Sequence, residues 1–123
     1  MSKVFNRDVT VNGKIRQNVG TAVAASGAAT LNRPAGKITS EALTTAQNAI
    51  YTLTLTNDQI AADSLVFVSV ADGTNTQGTP MVGQVNPGAG SVAIEIINKH
   101  ASAEALNGTL EISYFVVNPA ETV

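Results

Sequence analysis

Residues 62–117 read ADSLVFVSVADGTNTQGTPMVGQVNPGAGSVAIEIINKHASAEALNGTLEISYFVV, and this stretch decides the fold. Its apolar runs are four to eight residues long and are separated by connectors rich in Gly, Asn, Thr and Pro. Short runs between turn residues are strands, because a helix needs a longer apolar period to cover one face. In Ser91–Asn98, Val92, Ile94 and Ile96 alternate with Ala93, Glu95 and Ile97, so the first set faces a core. In Leu110–Val117, Leu110, Ile112, Tyr114 and Val116 alternate with Glu111, Ser113, Phe115 and Val117. Phe115 and Val117 therefore fall on the outer face and need a covering surface. Ser64–Ala71 is apolar on both faces, which predicts a central strand or one whose second face is covered.

The turn chemistry agrees with this division. Asp72-Gly73 opens a polar connector, and Pro80 lacks a backbone donor, which marks Pro80–Val85 as an edge strand. Asn86-Pro87-Gly88 and Gly90 mark a hairpin turn, and Asn107-Gly108 marks another before the last strand. Asn98–Ala105 has room for no more than a short helical turn.

Working outward, Ala49–Thr56 reads AIYTLTLT, with Tyr51, Leu53 and Leu55 on one face and Thr52, Thr54 and Thr56 on the other. Lys37–Ser40 is a further short strand. Residues 1–35 differ in character. Val4, Phe5, Val9, Val11 and Ile15 are spaced among polar residues, and Asn12-Gly13 suits a turn. Gly20–Thr30, GTAVAASGAAT, carries Val23 as its single sizeable apolar side chain, and its glycines weaken a helix. This segment is expected to be an extended arm and linker, closed by Pro34, which biases Arg33 away from helical geometry. The expected organisation is thus an arm and linker at 1–35 and a β-sandwich domain at 36–123. No strand–helix–strand alternation is present, which argues against an α/β enzyme fold.

Composition bounds the function. The 123 residues suit one domain, which can bury roughly two thirds of its unfolded surface. Charged residues make up 13% and the net charge is −2, so no basic footprint for nucleic acid is visible. There is no cysteine, and no apolar run approaches the ~20 residues of a membrane helix. A soluble protein that does not use the general secretory route is expected.

Reactive constellations are sparse. His100 is the single histidine, which leaves no multi-imidazole metal site. Ser91 opens a strand and lacks the G-x-S-x-G context of an esterase nucleophile. Gly88-Ala89-Gly90 is not followed by the Lys-Ser or Lys-Thr pair of a phosphate loop. Asp72 and Asn75 supply oxygen donors but not the spaced carboxylates of a strong calcium site. Glu95 and Glu111 can be pictured as a carboxylate pair on neighbouring strands, though outward charges on solvated strands account for them more simply. Asn107-Gly108-Thr109 matches a glycosylation acceptor and equally a turn. No catalytic, cofactor-binding or metal-binding residue is assigned.

The segments AGKITSEA, AIYTLTLTN, ADGTNTQGTPMV, NPGAGSVAIEIINKH and ALNGTLEISYFVV, spread over residues 35–117, together resemble the capsid decoration, or cement, proteins of tailed bacteriophages. The resemblance implies an all-β fold, a jelly-roll-like antiparallel β-sandwich with an extended N-terminal arm. It further implies a non-enzymatic virion protein on the outer capsid surface, made in the host cytoplasm and assembled as an oligomer, commonly a trimer. Its partners would be the major capsid protein and further copies of itself, with no cofactor, nucleic acid or membrane. Phe5, Val9, Val11 and Ile15 become the expected capsid contacts, and Phe115 and Val117 the expected subunit interface. The rival within virions is a head-fibre base or tail component that binds a host surface. A glycan hydrolase would need an acid/base pair in a cleft, and a carbohydrate-binding module would need aromatic platforms, which a chain without Trp supplies poorly.

Overall fold

The computed structural model describes residues 10–14 and 19–119. Eight strands are present, and no helix lies among the described residues: β1 (Val19–Val23), β2 (Ala28–Thr30), β3 (Ala35–Thr39), β4 (Ile50–Thr56), β5 (Leu65–Asp72), β6 (Pro80–Gly88), β7 (Ser91–Asn98) and β8 (Leu110–Val117). They form two four-stranded sheets. Sheet A has the order β1-β3-β8-β5 and sheet B the order β2-β4-β7-β6. Every connection between consecutive strands changes sheet except the β6–β7 hairpin.

The alternation in β4, β7 and β8 builds the core shared by the sheets. Leu53 and Leu55 from β4, Val92, Ile94 and Ile96 from β7, and Leu110, Ile112, Tyr114 and Val116 from β8 are buried in one cluster with Ile38 of β3. Each such side chain taken wholly out of water contributes on the order of 1.5–3 kcal/mol. Leu43, Ile60 and Leu106 seal the ends of the core from the connecting segments. At one open side of the two sheets β5 lies near β6, and at the other β1 lies near β2.

The sheets are mixed rather than wholly antiparallel. β1 runs parallel to β3 and β2 parallel to β4, while β3–β8, β5–β8, β4–β7 and β6–β7 are antiparallel. The parallel pairs come from the segment expected to be arm and linker. Residues 19–23 and 28–30 are strands, so this part of the expected arm and linker belongs to the two sheets. Small side chains make this possible. A Cβ built on Gly36 would lie 2.9 Å from the Gly20 carbonyl oxygen and 2.5 Å from a Leu31 methyl, so β1 and β3 pack where only glycine fits.

The sequence places β5 at the centre or under cover; among the described residues it is an edge strand, hydrogen-bonded to β8. β6 is the other edge on that side, as Pro80 predicts, and its register breaks between Val82 and Val85. The segment after β7 contains bends and no helical turn. Of the N-terminal arm, Phe5, Val9 and Ile15 lie outside the described residues. Thr10–Lys14 are exposed and belong to no strand.

Buried polar groups fix the loops. Asn98 is fully buried, and its amide donates to the carbonyls of Thr45 (3.0 Å) and Glu104 (2.8 Å) while accepting from the backbone N–H of Thr79 (3.0 Å) and His100 (3.2 Å). Asn57 donates to the Arg33 carbonyl (2.8 Å) and accepts from the Gln59 N–H (2.9 Å); the Tyr114 hydroxyl donates to the same Arg33 carbonyl (2.8 Å). These bonds satisfy amides that would otherwise cost free energy on burial.

Candidate assembly surface

Outward positions on sheet A line up by register. Leu65 pairs with Val117, and Phe67 pairs with Phe115. Phe115 is in turn opposite Ala35, and Ala35 is beside Val19. Val19, Leu65, Phe67, Phe115 and Val117 form an apolar patch across one end of the outer face, with Ala35 buried between Val19 and Phe115. Phe67 is 58% exposed, Leu65 55%, Phe115 38% and Val117 36%. The Phe67 and Phe115 rings stack with centroids 6.0 Å apart and planes at 29°. Beside them Ser69 and Ser113 extend the floor into a shallow depression of about 250 Å³. The other end of the face is polar, with Lys37 opposite Ser113, and Glu111 accepting a 2.9 Å bond from the Thr39 hydroxyl.

Large exposed aromatics next to an aliphatic pair make a surface that gains free energy when water leaves it. The sequence located Phe115 and Val117 on this face and missed Phe67 and Leu65. SLVFVSVA is apolar at both parities, so its alternation does not reveal which set points outward.

The edge of β5 adds a second feature. Natural sheets blunt exposed edges with short strands, proline, bulges or lysine. Among the other edge strands, β1 has five residues, β2 has three, and β6 carries Pro80 and a register break. β5 has eight residues, LVFVSVAD, with neither proline nor lysine, and pairs with β8 in continuous register from Leu65 to Asp72.

The residues weighed for chemistry fall elsewhere. Glu95 is on β7 of sheet B and Glu111 on β8 of sheet A, and each faces outward, so they do not form a pair across one cleft. The Asn75 amide donates to Asp72 Oδ1 and to the Gln77 carbonyl, both at 2.8 Å, and accepts from the Asn107 N–H. Asp72 and Asn75 therefore bond to each other in a closed turn. Asn107 is tied to Thr76 through both ends of its amide, which accounts for the Asn-Gly-Thr sequence as a loop fastener. Gly88 pairs with Ser91 in the β6–β7 hairpin, with Gly90 at φ +79°.

Two carboxylates have structural partners. Glu41, just after β3, accepts from the Tyr51 hydroxyl at 2.5 Å and from the Gly27 N–H at 2.6 Å, strapping the β1–β2 turn to β4. Gly27 is required there, with φ +75° and space for a Cβ only 2.8 Å from the Thr52 carbonyl. Burial pushes the Glu41 carboxyl up, but the bonds from Tyr51 and from backbone N–H groups outweigh it and hold it below its usual value. Burial, the Glu41 bond and the Glu41 charge all push the Tyr51 hydroxyl upward. Glu104 accepts from the Gly78 N–H at 2.8 Å and lies 3.7 Å from the His100 ring. Neither carboxylate lines the apolar patch. Among the described residues, no cluster of three or more His, Cys, Asp or Glu is arranged to hold a metal ion, and no helix is long and apolar enough to cross a membrane.

No protein-family model matches the chain, and neither a curated protein nor a solved structure matches it.

Proposed function

We propose that this chain is a virion structural protein of a tailed bacteriophage, a capsid decoration or cement subunit. In this reading it binds the outer surface of the major capsid protein lattice as an oligomer, with a trimer as the expected form, and stabilises the mature head. The observation that carries the proposal is the uncovered apolar end of sheet A, where Phe67, Phe115, Leu65 and Val117 border the unblunted β5 edge. Such a surface calls for another chain. Phe115 and Val117 serve subunit contact, and the N-terminal residues Phe5, Val9, Val11 and Ile15 are available for assembly contacts.

The mechanism is mechanical. A subunit that binds the expanded shell and not its precursor stabilises the expanded state by mass action. Joining several weak contacts in one oligomer raises the effective affinity by orders of magnitude. A jelly-roll-like description belongs with this reading: the sheet-changing connections support it, and the two parallel pairs depart from it.

The alternative is a head-fibre base or tail component with a host-surface role. Receptor contacts favour aromatic or charged side chains at loop tips. The exposed aromatics here sit on a sheet face instead, which favours the cement reading. Cosedimentation with shells of the major capsid protein tests it, comparing the full chain with a variant lacking residues 2–15. Saturable binding by the full chain, weakened by the deletion, is the expected result. A folded full chain that leaves the shells bare would overturn the proposal.

A further inference from the structure

β1 enters sheet A at Val19, in the same cross-strand row as Ala35, Phe115 and Phe67. β1 runs from this row toward the row of Thr39 and Glu111, so the chain preceding Val19 arrives at the apolar end of the sheet. Eighteen residues precede it. Three strand spacings separate β1 from β5, about 14 Å, and seven residues such as 12–18 can span up to ~23 Å. Residues 4–11 are therefore within reach of a β5 edge. They read VFNRDVTV, and in an extended strand Phe5, Arg7, Val9 and Val11 share one face while Val4, Asn6, Asp8 and Thr10 take the other.

We propose that residues 4–11 of a neighbouring copy add as a strand to the free edge of β5. Phe5, Val9 and Val11 then stand beside Leu65 and Phe67 on the outer face, continuing the apolar row that Phe115 and Val117 carry on β8. This rests on the assembly reading above and names the contact that builds the oligomer. Strand addition pairs the backbone groups along the β5 edge and sets apolar side chains against the exposed flanks of Leu65 and Phe67. The donor is a neighbour because in the single chain Thr10–Lys14 are outside both sheets and Val11 is 51% exposed. A contact of one copy's segment with the next copy's sheet is heterologous, which makes a ring where the rotation between copies closes, as in a trimer. The apolar residues of the segment are thereby committed to subunit exchange. Direct use on the capsid shell is the competing occupant.

The test uses full-length chains and light scattering in the absence of shells. Wild type is expected at a multiple of the 12.6 kDa chain mass, three times it for a trimer. Phe67→Lys alone, and Val9→Asp with Val11→Asp, are each expected to run as folded monomers that still melt cooperatively. Mixing the two variants is expected to restore a one-to-one complex, because each keeps the half the other lacks. A monomeric wild type, either variant remaining oligomeric, or no complex on mixing would overturn the proposal. A monomeric wild type that still cosediments with shells would overturn strand exchange and leave the cement reading standing. An oligomer that exchanges as described but ignores shells would overturn the cement reading alone.

Discussion

Phe67 of β5 and Phe115 of β8 are directly opposed across an antiparallel pair, and their stacked rings, 6.0 Å apart, face solvent and not the core. An aromatic pair of this kind is worth about 0.5–1.5 kcal/mol beyond its buried area. Phe67→Ala should therefore cost the isolated domain no more than about 1 kcal/mol in urea unfolding. The same substitution should abolish shell binding. Equal losses of stability and binding would mean that Phe67 acts only through the fold.

The Glu41 strap gives a signed pH dependence. Its carboxyl is held below the usual value of 4.5 in the folded chain, so its contribution is fully present above that value and is lost as pH falls through the lowered one. Glu41→Gln should destabilise the chain near neutral pH, and the difference from wild type should shrink to nothing as the pH is lowered past the folded-state value. Urea titrations repeated from pH 7 downward into the acid range measure this. A difference that is constant with pH would show that the carboxylate charge plays no part.

Tyr51 and Tyr114 extend the argument to alkaline pH. Burial raises both hydroxyls above the usual 10.0, reinforced at Tyr51 by Glu41 and opposed at Tyr114 by the Arg33 charge. For groups raised in the folded state, stability is complete below the unfolded value and is lost as pH rises through the folded one. Ultraviolet titration should show both tyrosines ionising at higher pH in the folded chain than after unfolding. Tyr51→Phe should remove the hydroxyl bond that lowers Glu41 and bring that carboxyl closer to ordinary behaviour.

Asn98 holds four backbone groups from three segments with one buried amide. Asn98→Ala takes their shared partner from the Glu104 carbonyl and the Thr79 and His100 N–H groups, the Thr45 carbonyl keeping the Leu106 N–H, and should cost about 2–4 kcal/mol. Asn98→Asp keeps the shape but turns an acceptor oxygen toward the Thr45 and Glu104 carbonyls, and it should cost at least as much at neutral pH. Thermal melting of the two variants checks the order.

Truncation separates the segment from the fold. Removing residues 2–15 should leave cooperative melting intact. Starting the chain at Gly36 removes β1 and β2 and uncovers β3 and β4, so it should abolish the cooperative transition. A chain from Gly36 that melts like wild type would show that these two strands contribute nothing to the folded unit.

Much of this fold is legible in the sequence where one parity of a strand is apolar. Val92, Ile94 and Ile96 in β7, and Leu110, Ile112, Tyr114 and Val116 in β8, are inward as their alternation requires. Legibility fails where side chains are too small to mark a face. Gly20, Ala22, Ala28 and Ala29 give β1 and β2 almost no pattern, yet lack of bulk lets those strands approach their partners. Parallel pairing is likewise invisible, because it depends on which distant segments meet and not on local period. The candidate surface was half legible. Phe115 and Val117 follow from parity, whereas Phe67 and Leu65 become outward only once β8 fixes the register of β5.

Amide hydrogen exchange along Leu65–Ala71 tests the central claim most directly. It is measured on the full-length chain at monomeric dilution and on the same chain assembled on shells. An edge strand paired on one side should exchange rapidly at its outward-facing amides in the dilute chain and become protected in the assembled one. Protection across β5 on assembly is the result expected here. Exchange that is the same in both states would contradict the assignment of this edge and its phenylalanine pair as the assembly surface.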